Sequence, residues 1–210
     1  MKNEYNNVPM VVIKRLPRYY RYLGELARQG KSRISSAALS EKMGVTASQI
    51  RQDFNCFGGF GQQGYGYNVV NLYEEIGKIL GLDRGHPMII VGAGNMGHAL
   101  LNYAKLEKRG FKVIGIFDND PKKIGTEIKG IKINDISSLE DFCQQTKVDI
   151  AALALPDSVV KEIAERLIDA GIKGLWNFSH TELSVPENVA VENVHLSDSL
   201  MTLSYKILGK

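Results

Sequence analysis

The chain holds only two cysteines in 210 residues, Cys56 and Cys143. They lie far apart, with no CxxC pair and no histidine cluster beside either, so neither a disulfide scaffold nor a zinc site is supported. Two free thiols in a reducing compartment are expected. No stretch approaches the roughly 18 consecutive apolar residues of a membrane-spanning helix. The opening residues, Met1-Lys2-Asn3-Glu4-Tyr5-Asn6-Asn7, have no apolar signal core behind them. These absences predict a cytoplasmic protein with no membrane partner and no metal. Internal repeats and low-complexity tracts are also missing. So are the Tyr-x-x-x-Lys pair of a short-chain dehydrogenase and the VAIK, HRD and DFG elements of a kinase.

Charge is present but uneven. Residues 1–80 carry 11 Lys/Arg against 6 Asp/Glu, a net of +5, and residues 81–210 carry 15 against 17, a net of −2. A basic front on a near-neutral body suits a segment that meets phosphates, although a solvated surface with a chance excess would read the same.

The most specific signal lies in the body. The apolar run Met88-Ile89-Ile90-Val91 leads into Gly92-Ala93-Gly94-Asn95-Met96-Gly97, a helical pattern follows from His98 to Lys108, and a second apolar run, Phe111 to Phe117, ends in Asp118. Strand, glycine turn, helix, strand and acid, with 21 residues from Gly97 to Asp118, form the dinucleotide-binding fingerprint in its required context. Gly92 makes the tight turn, Gly94 admits the pyrophosphate, and Gly97 lets helix and strand pack closely. Asp118 stands where a carboxylate accepts ribose hydroxyls, which favours NAD over NADP. Lys122 and Lys123 are the nearby cations that could hold a 2′-phosphate instead. Further apolar runs at 131–133, 148–155, 174–178 and 189–194, mostly separated by helical patterns, predict a doubly wound parallel sheet over residues 86–196. Leu155-Pro156 closes the 148–155 run at the edge where ligands lie in such sheets; a simple helix start with Asp157 in its first turn is the other reading. His180 ends the next run, where it either faces a nicotinamide or is ordinary surface. Residues 197–210 read as one amphipathic helix with Leu200, Leu203 and Ile207 on one face, which must bury somewhere. No length is left for a separate substrate domain.

The front reads differently. Apolar residues from Val12 to Leu26 follow helical spacing, interrupted by Pro17, which should kink the helix or start a new one. Ser36 is a plausible cap for a short helix bearing Leu39 and Met43. Gly44 can end that helix in the left-handed conformation, and Thr46, with Gln49 three residues on, can cap the next. Two short helices around a glycine turn make a helix-turn-helix, though a helical hairpin in a bundle would look similar. The second helix would point Ser48, Gln49, Arg51, Gln52 and Asn55 outward and Ile50 and Phe54 inward. Arg, Gln and Asn are the side chains that read purine edges in a major groove. Gly59 to Gly64 also fits G-x-G-x-x-G but follows a helix, so its context is wrong for a pyrophosphate. The segment Phe57–Tyr67 instead predicts a glycine-rich β-hairpin, a wing with Gln62, Gln63 and Tyr65 at the DNA, closing a winged-helix domain over residues 1–80. Arg15 and Arg18 are expected at phosphates.

Together these residues resemble the Rex family of bacterial redox-sensing transcriptional repressors. The likeness covers essentially the whole chain. It is carried by Val8-Pro9, Leu16 through Leu23, Val45 through Arg51, Phe57-Gly58 through Tyr67, the glycine fingerprint, Phe117-Asp118, Gly171 through Gly174, Asn177-Phe178 and Val191 through Val194. The resemblance implies an N-terminal winged helix, a C-terminal Rossmann domain, and a homodimer in which the last helix is swapped onto the partner. It implies a palindromic double-stranded operator, bound by the free or NAD+ form and released by NADH. It places Tyr103 beside the nicotinamide, with Arg21 from the winged helix and His195 and Leu196 from the other subunit as switch residues. The chain departs from the family at Gln52, where many members have Lys, and at His195-Leu196, where some have an acid and a Phe. Two rivals stand beside this reading: an NAD-dependent oxidoreductase with a regulatory front, and a DNA reader tuned to another nucleotide such as coenzyme A.

Overall fold

In a computed structural model the residues described are 8–62 and 65–209, with only the backbone of Gly61 and Gln62. The chain divides into two compact units, Met1–Arg84 and Gly85–Lys210.

The N-terminal unit opens with a single turn, α1 (Met10–Ile13), followed by α2 (Leu16–Arg28). Pro17 starts α2 rather than kinking it: it sits in the first turn, where its missing N–H has no intrahelical partner to lose. Leu16, Tyr19, Leu23 and Leu26, three or four residues apart, are all buried. After a two-residue strand, β1 (Arg33–Ile34), come α3 (Ser36–Met43) and α4 (Ala47–Asn55). The cap of α3 is Ser35, not Ser36; its Oγ accepts from the Ala38 amide at 3.0 Å. Gly44 ends α3 at φ 63°, as the turn demands. Thr46 caps α4, accepting from the Gln49 amide at 3.1 Å. The reciprocal half of the capping box is missing, because the Gln49 side chain turns down the helix to Asp53, 2.9 Å away.

The wing is a hairpin of β2 (Gly61–Gln62) and β3 (Gly66–Asn68), with β1 paired to the other side of β3. Gly66 has φ 68°, and a Cβ there would lie 2.7 Å from the Ile34 carbonyl oxygen, so only glycine fits. Phe54 anchors the wing: Tyr19, Phe60 and Tyr67 meet its ring edge-on at 5.1, 5.8 and 5.0 Å. Asn68 then caps α5 (Val69–Ile79), which packs along α2.

In the C-terminal unit the strands are β4 (His86–Val91), β5 (Phe111–Asp118), β6 (Glu127–Ile128), β7 (Ile131–Asp135), β8 (Ile150–Leu153), β9 (Gly174–Asn177) and β10 (Ala190–Asn193). Their order across the sheet is β10-β9-β8-β4-β5-β7-β6, parallel except that β6 runs against β7. The helices α6 (Asn95–Asn102), α7 (Leu139–Gln145) and α8 (Val160–Asp169) connect them, and each face of the sheet has its own buried cluster. The chain moves outward from β4 one way through β5 and the other way through β8. The ends of β4, β5 and β8 therefore surround a topological switch point, where ligands of such sheets bind. The helix at this point stops at Asn102, several residues short of the sequence pattern, because Tyr103 turns out of the helix at ψ 85°. The last helix, α9 (Leu196–Leu208), buries none of its residues in the single chain.

One interaction ties the recognition-type helix α4 to the rest of its unit. Asp53 is fully buried and accepts four hydrogen bonds: from Arg15 Nε and Nη2 at 2.7 and 2.6 Å, from Tyr19 Oη at 2.8 Å, and from Gln49 Nε2 at 2.9 Å. Burial pushes its pKa up, but the bonds from Arg15, Gln49 and Tyr19 outweigh that and hold it below the usual carboxylate range. The same carboxylate raises the Arg15 pKa. Breaking a buried pair strands a charge, so Asp53→Ala should cost about 3–5 kcal/mol of unfolding free energy. With its native pKa depressed, Asp53 contributes stability fully above the ordinary carboxylate range and loses it as the pH falls through that lowered value. Urea unfolding of wild type and variant at neutral pH, followed by a series into acid, measures both effects. Curves that coincide at neutral pH would remove Asp53 from this role.

Candidate functional site

Two surfaces carry the sequence-predicted residues, one in each unit. On the N-terminal unit, α4 exposes Ser48, Arg51, Gln52 and Asn55, while Gln49 is half-buried at the flank. Arg51 is steadied by Ser36 Oγ, which accepts from its Nη1 at 3.1 Å. Of the two arginines expected at phosphates, Arg18 is exposed, with one long bond of 3.4 Å to the Lys42 carbonyl. Arg15 is not free in that way, since its guanidinium grips Asp53. In the wing, Tyr65 is 71 % exposed, and its carbonyl accepts from Arg33 Nη1 at 3.0 Å, which braces the hairpin. The side chain of Gln62 and all of Gln63 lie outside the described residues. Arg21 is exposed on α2.

On the C-terminal unit the glycine turn follows β4. Gly92 has φ 101°, and a Cβ there would come within 2.3 Å of the Ala154 carbonyl oxygen. A Cβ on Gly97 would lie 2.0 Å from the Gly92 carbonyl oxygen. These two glycines are required by the fold itself. Gly94 is different: it caps α6 at φ −83°, and nothing lies within 4 Å of where its Cβ would be. Neither conformation nor packing asks for glycine there, so the open space above the turn is a cradle that a side chain would fill. The first-turn amides of α6, from Asn95 to Gly97, have no intrahelical acceptor and give this cradle its positive end. That chemistry fits a pyrophosphate.

Asp118 ends β5 beside this turn and is 6 % exposed. Its Oδ2 accepts from the Ala93 amide at 2.7 Å and from Lys123 Nζ at 3.2 Å, and its Oδ1 accepts from the Asp120 amide at 2.8 Å. Burial raises its pKa, and the two amides and Lys123 overcome this and keep it low and ionised. Lys123 also lies 3.8 Å from Asp120 Oδ2, so its charge is shared between two carboxylates rather than offered to a 2′-phosphate. Leu155 is brought against the turn, with Cδ2 3.3 Å from the Gly92 Cβ position, and Pro156 follows at the exposed rim. Asp157 does not begin a helix, since α8 starts at Val160. Its Oδ1 accepts from the His180 amide at 2.9 Å and ties the ends of β8 and β9 together. Tyr103 is 47 % exposed after α6. Further along the same edge, His180 and His195 stack at 5.7 Å with their rings 9° from parallel, and Leu196 is exposed. Fully buried Asn177 shapes that loop, donating to the Thr181 carbonyl and Asn193 Oδ1 and accepting from Ser179. Among the described residues no group of three or more His, Cys, Asp or Glu could hold a metal, and no helix is long and apolar enough to cross a membrane.

Sequence reasoning missed Asp53 and its partner Tyr19. The available signal was an acid on the core-facing flank of an amphipathic helix, between Ile50 and Phe54. It also missed that Asp157 and Asn177 act through backbone amides, which no residue spacing records.

The cradle above Gly94 yields a direct expectation. Gly94→Ala should leave the unfolding free energy within about 0.5 kcal/mol of wild type. Its methyl should weaken NADH binding by roughly tenfold or more, as an overpacked contact does. Thermal unfolding and fluorescence titration separate the two effects, and undiminished NADH affinity would show that Gly94 faces no ligand.

Residues 83–181 match a family model described as "CoA binding domain", and residues 7–55 match one described as "Putative DNA-binding protein N-terminus". A protein named redox-sensing transcriptional repressor Rex from Caldicellulosiruptor saccharolyticus is 55 % identical over 204 residues, covering 97 % of this chain and 93 % of its own. One of the same name from Clostridioides difficile is 54 % identical over 199 residues, covering 95 % of each. The crystal structure of RSP with NAD+ and operator DNA superposes with a TM-score of 0.91 at 56 % identity, over 95 % of this chain and 92 % of that one. The structure of RSP with NADH gives 0.90 at 52 %, over 96 % and 95 %. RSP is described as a Rex-family repressor. With such identity over almost the whole of both chains, this protein belongs to the Rex family.

Proposed function

We propose that this chain is a transcriptional repressor that binds operator DNA through its winged helix and leaves it when its Rossmann unit takes NADH. One observation carries the reading. A capped recognition helix with exposed Ser48, Arg51 and Gln52 and a glycine turn with an open cradle beside an ionised Asp118 occur in one chain. No substrate-binding domain is found among the described residues beside them. The relatives' names support it: they are repressors, and RSP binds NAD+ with operator DNA and also binds NADH. No catalytic residue is assigned.

In this reading Arg51, Gln52, Ser48 and Gln49 meet base edges, Arg18 meets phosphate, and Tyr65 with Gln62 and Gln63 brings the wing to the backbone or minor groove. NAD+ and NADH share adenosine and pyrophosphate, so Gly92 to Gly97 and Asp118 hold both. The two differ only at the nicotinamide, flat and cationic in one, puckered and neutral in the other. Discrimination then falls to Tyr103, Leu155 and Pro156, with Arg21, and His195 and Leu196 from the other subunit, as residues that feel the ring's state. A ligand shifts a two-state equilibrium only by its differential affinity, about 5.5 kcal/mol for a move from 1:99 to 99:1. NADH should therefore raise the operator dissociation constant and DNA should weaken NADH binding by the same factor, while NAD+ should leave the complex intact. Fluorescence anisotropy on the chain's own upstream DNA, with each nucleotide at saturation, tests this. An operator affinity indifferent to NADH would end the sensor reading.

The "CoA binding domain" match keeps a second ligand in view. Coenzyme A carries a phosphate on its ribose, and the ionised Asp118 would oppose it. Parallel titrations with NADH and coenzyme A decide between them.

The protein acts as a homodimer in this proposal. Leu200, Met201, Leu203, Ile207 and Leu208 of α9 are 54–82 % exposed in the single chain, an apolar area that a partner copy would cover. Two copies also present recognition helices to successive major grooves, about 34 Å apart. A chain truncated after Asp198 should sediment as a monomer and bind DNA poorly; a stable truncated dimer would refute the role of α9.

A further inference from the structure

The buried carboxylate of α4 does more than hold the helix down. Gln49 lies in the first turn of α4, the part of a recognition helix that meets base edges. An amide side chain has two ends, a carbonyl that accepts and an NH2 that donates, and a free glutamine can turn either end to the DNA. Gln49 is not free. Its neighbour Asp53 is held ionised by Arg15 and Tyr19, and an ionised carboxylate can only accept. The Nε2 end of Gln49 must therefore face Asp53, as it does at 2.9 Å. With four donors on its two oxygens, Asp53 has no capacity left for a further partner. What Gln49 has left to offer outward is Oε1 and one N–H.

We propose that Asp53 sets the base preference of this recognition helix by fixing the amide orientation of Gln49, so that Gln49 selects adenine and rejects the keto bases. An acceptor next to one donor is the complement of the adenine major-groove edge, with its N6 amine and N7. Guanine presents two acceptors there, and Oε1 would face one of them without a proton between. Cytosine, with an amine alone, satisfies half of the arrangement. Asp53 is thus a positioning residue, acting on the DNA only through Gln49. The inference rests on the DNA-reading function proposed above.

The test is selection of operator sequences from a random duplex pool by the full-length protein, in wild type, Asp53→Asn and Gln49→Met. Wild type should enrich a motif with an adenine at one position of each half-site. Synthetic duplexes carrying purine there, which lacks only the amine, should bind wild type roughly tenfold more weakly. Gln49→Met should lose the preference at that position alone and be indifferent to the purine replacement. In Asp53→Asn the new amide can face either end of Gln49, so the adenine preference should shrink severalfold at the same position, with the other positions kept. A structural role alone would lower affinity for all sequences equally.

Because Asp53→Asn removes a buried charge, a second measurement does not depend on its folding. In wild type the Gln49 side-chain NH2, assigned in nitrogen-15 NMR spectra by its loss in Gln49→Met, should show one proton protected from solvent exchange. Two protons exchanging at the rate of a free glutamine would overturn the proposal. So would a folded Asp53→Asn with the wild-type base preference, or a wild type insensitive to amine loss at every adenine of its half-site. A wild type that enriches no motif would instead end the DNA-reading function itself, and this inference with it.

Discussion

A carboxylate withdrawn from water has to be ringed by donors, and each unit of this chain is organised around one such group. Asp53 and Asp118 are both buried, both ionised, and both sit on the element that carries the unit's chemistry. In each case burial pushes the acid's pKa up, and a fixed set of hydrogen bonds outweighs it. The donors come from elsewhere in the fold. Arg15 and Tyr19 reach Asp53 from the first helices, and the glycine turn after β4 supplies the Ala93 amide to Asp118 at the end of β5. The charge therefore locks helix to helix in one unit and turn to strand in the other.

The glycine turn shows how one motif divides its labour. Gly92 and Gly97 are glycines because backbone carbonyls stand where their side chains would be. Gly94 is glycine although the protein leaves room for more. A fold-driven and a ligand-driven glycine look the same in a pattern of letters, and the space around each one separates them. The Lys123 pairing is a similar case. In sequence it is a cation near a ribose site, whereas in the fold its charge is already shared between Asp118 and Asp120.

A repressor that responds to a nucleotide needs its two binding events to oppose each other, and linkage makes that opposition reciprocal. The chain separates the parts cleanly, with the helix-turn-helix in one compact unit and the glycine turn in the other. In the nucleotide unit His180 follows β9 and His195 follows β10; their rings stack, and Asn177 ties the two stretches together through the Thr181 carbonyl and Asn193.

Much of this was legible in the letters. The fingerprint and its acid, the parallel strands, the helix-turn-helix with Gly44 and Thr46, and the wing all follow from local rules: the period of apolar residues, the conformations open to glycine, and the needs of helix ends; the short antiparallel strands β1 and β6 do not. What the letters left undecided depends on contacts between distant segments. Ser35 rather than Ser36 caps α3, and the capping box at Gln49 is only half made, because Asp53 competes for the same side chain. Arg15 reads as a surface cation until the chain brings it against a residue 38 positions away. Asp157 reads as a helix start until β9 delivers the His180 amide to it. Spacing along the chain determines which face of an element a residue occupies. Only the packed structure decides whether that residue is left facing solvent or meets a partner, since a buried charge takes whichever donors the fold brings within reach.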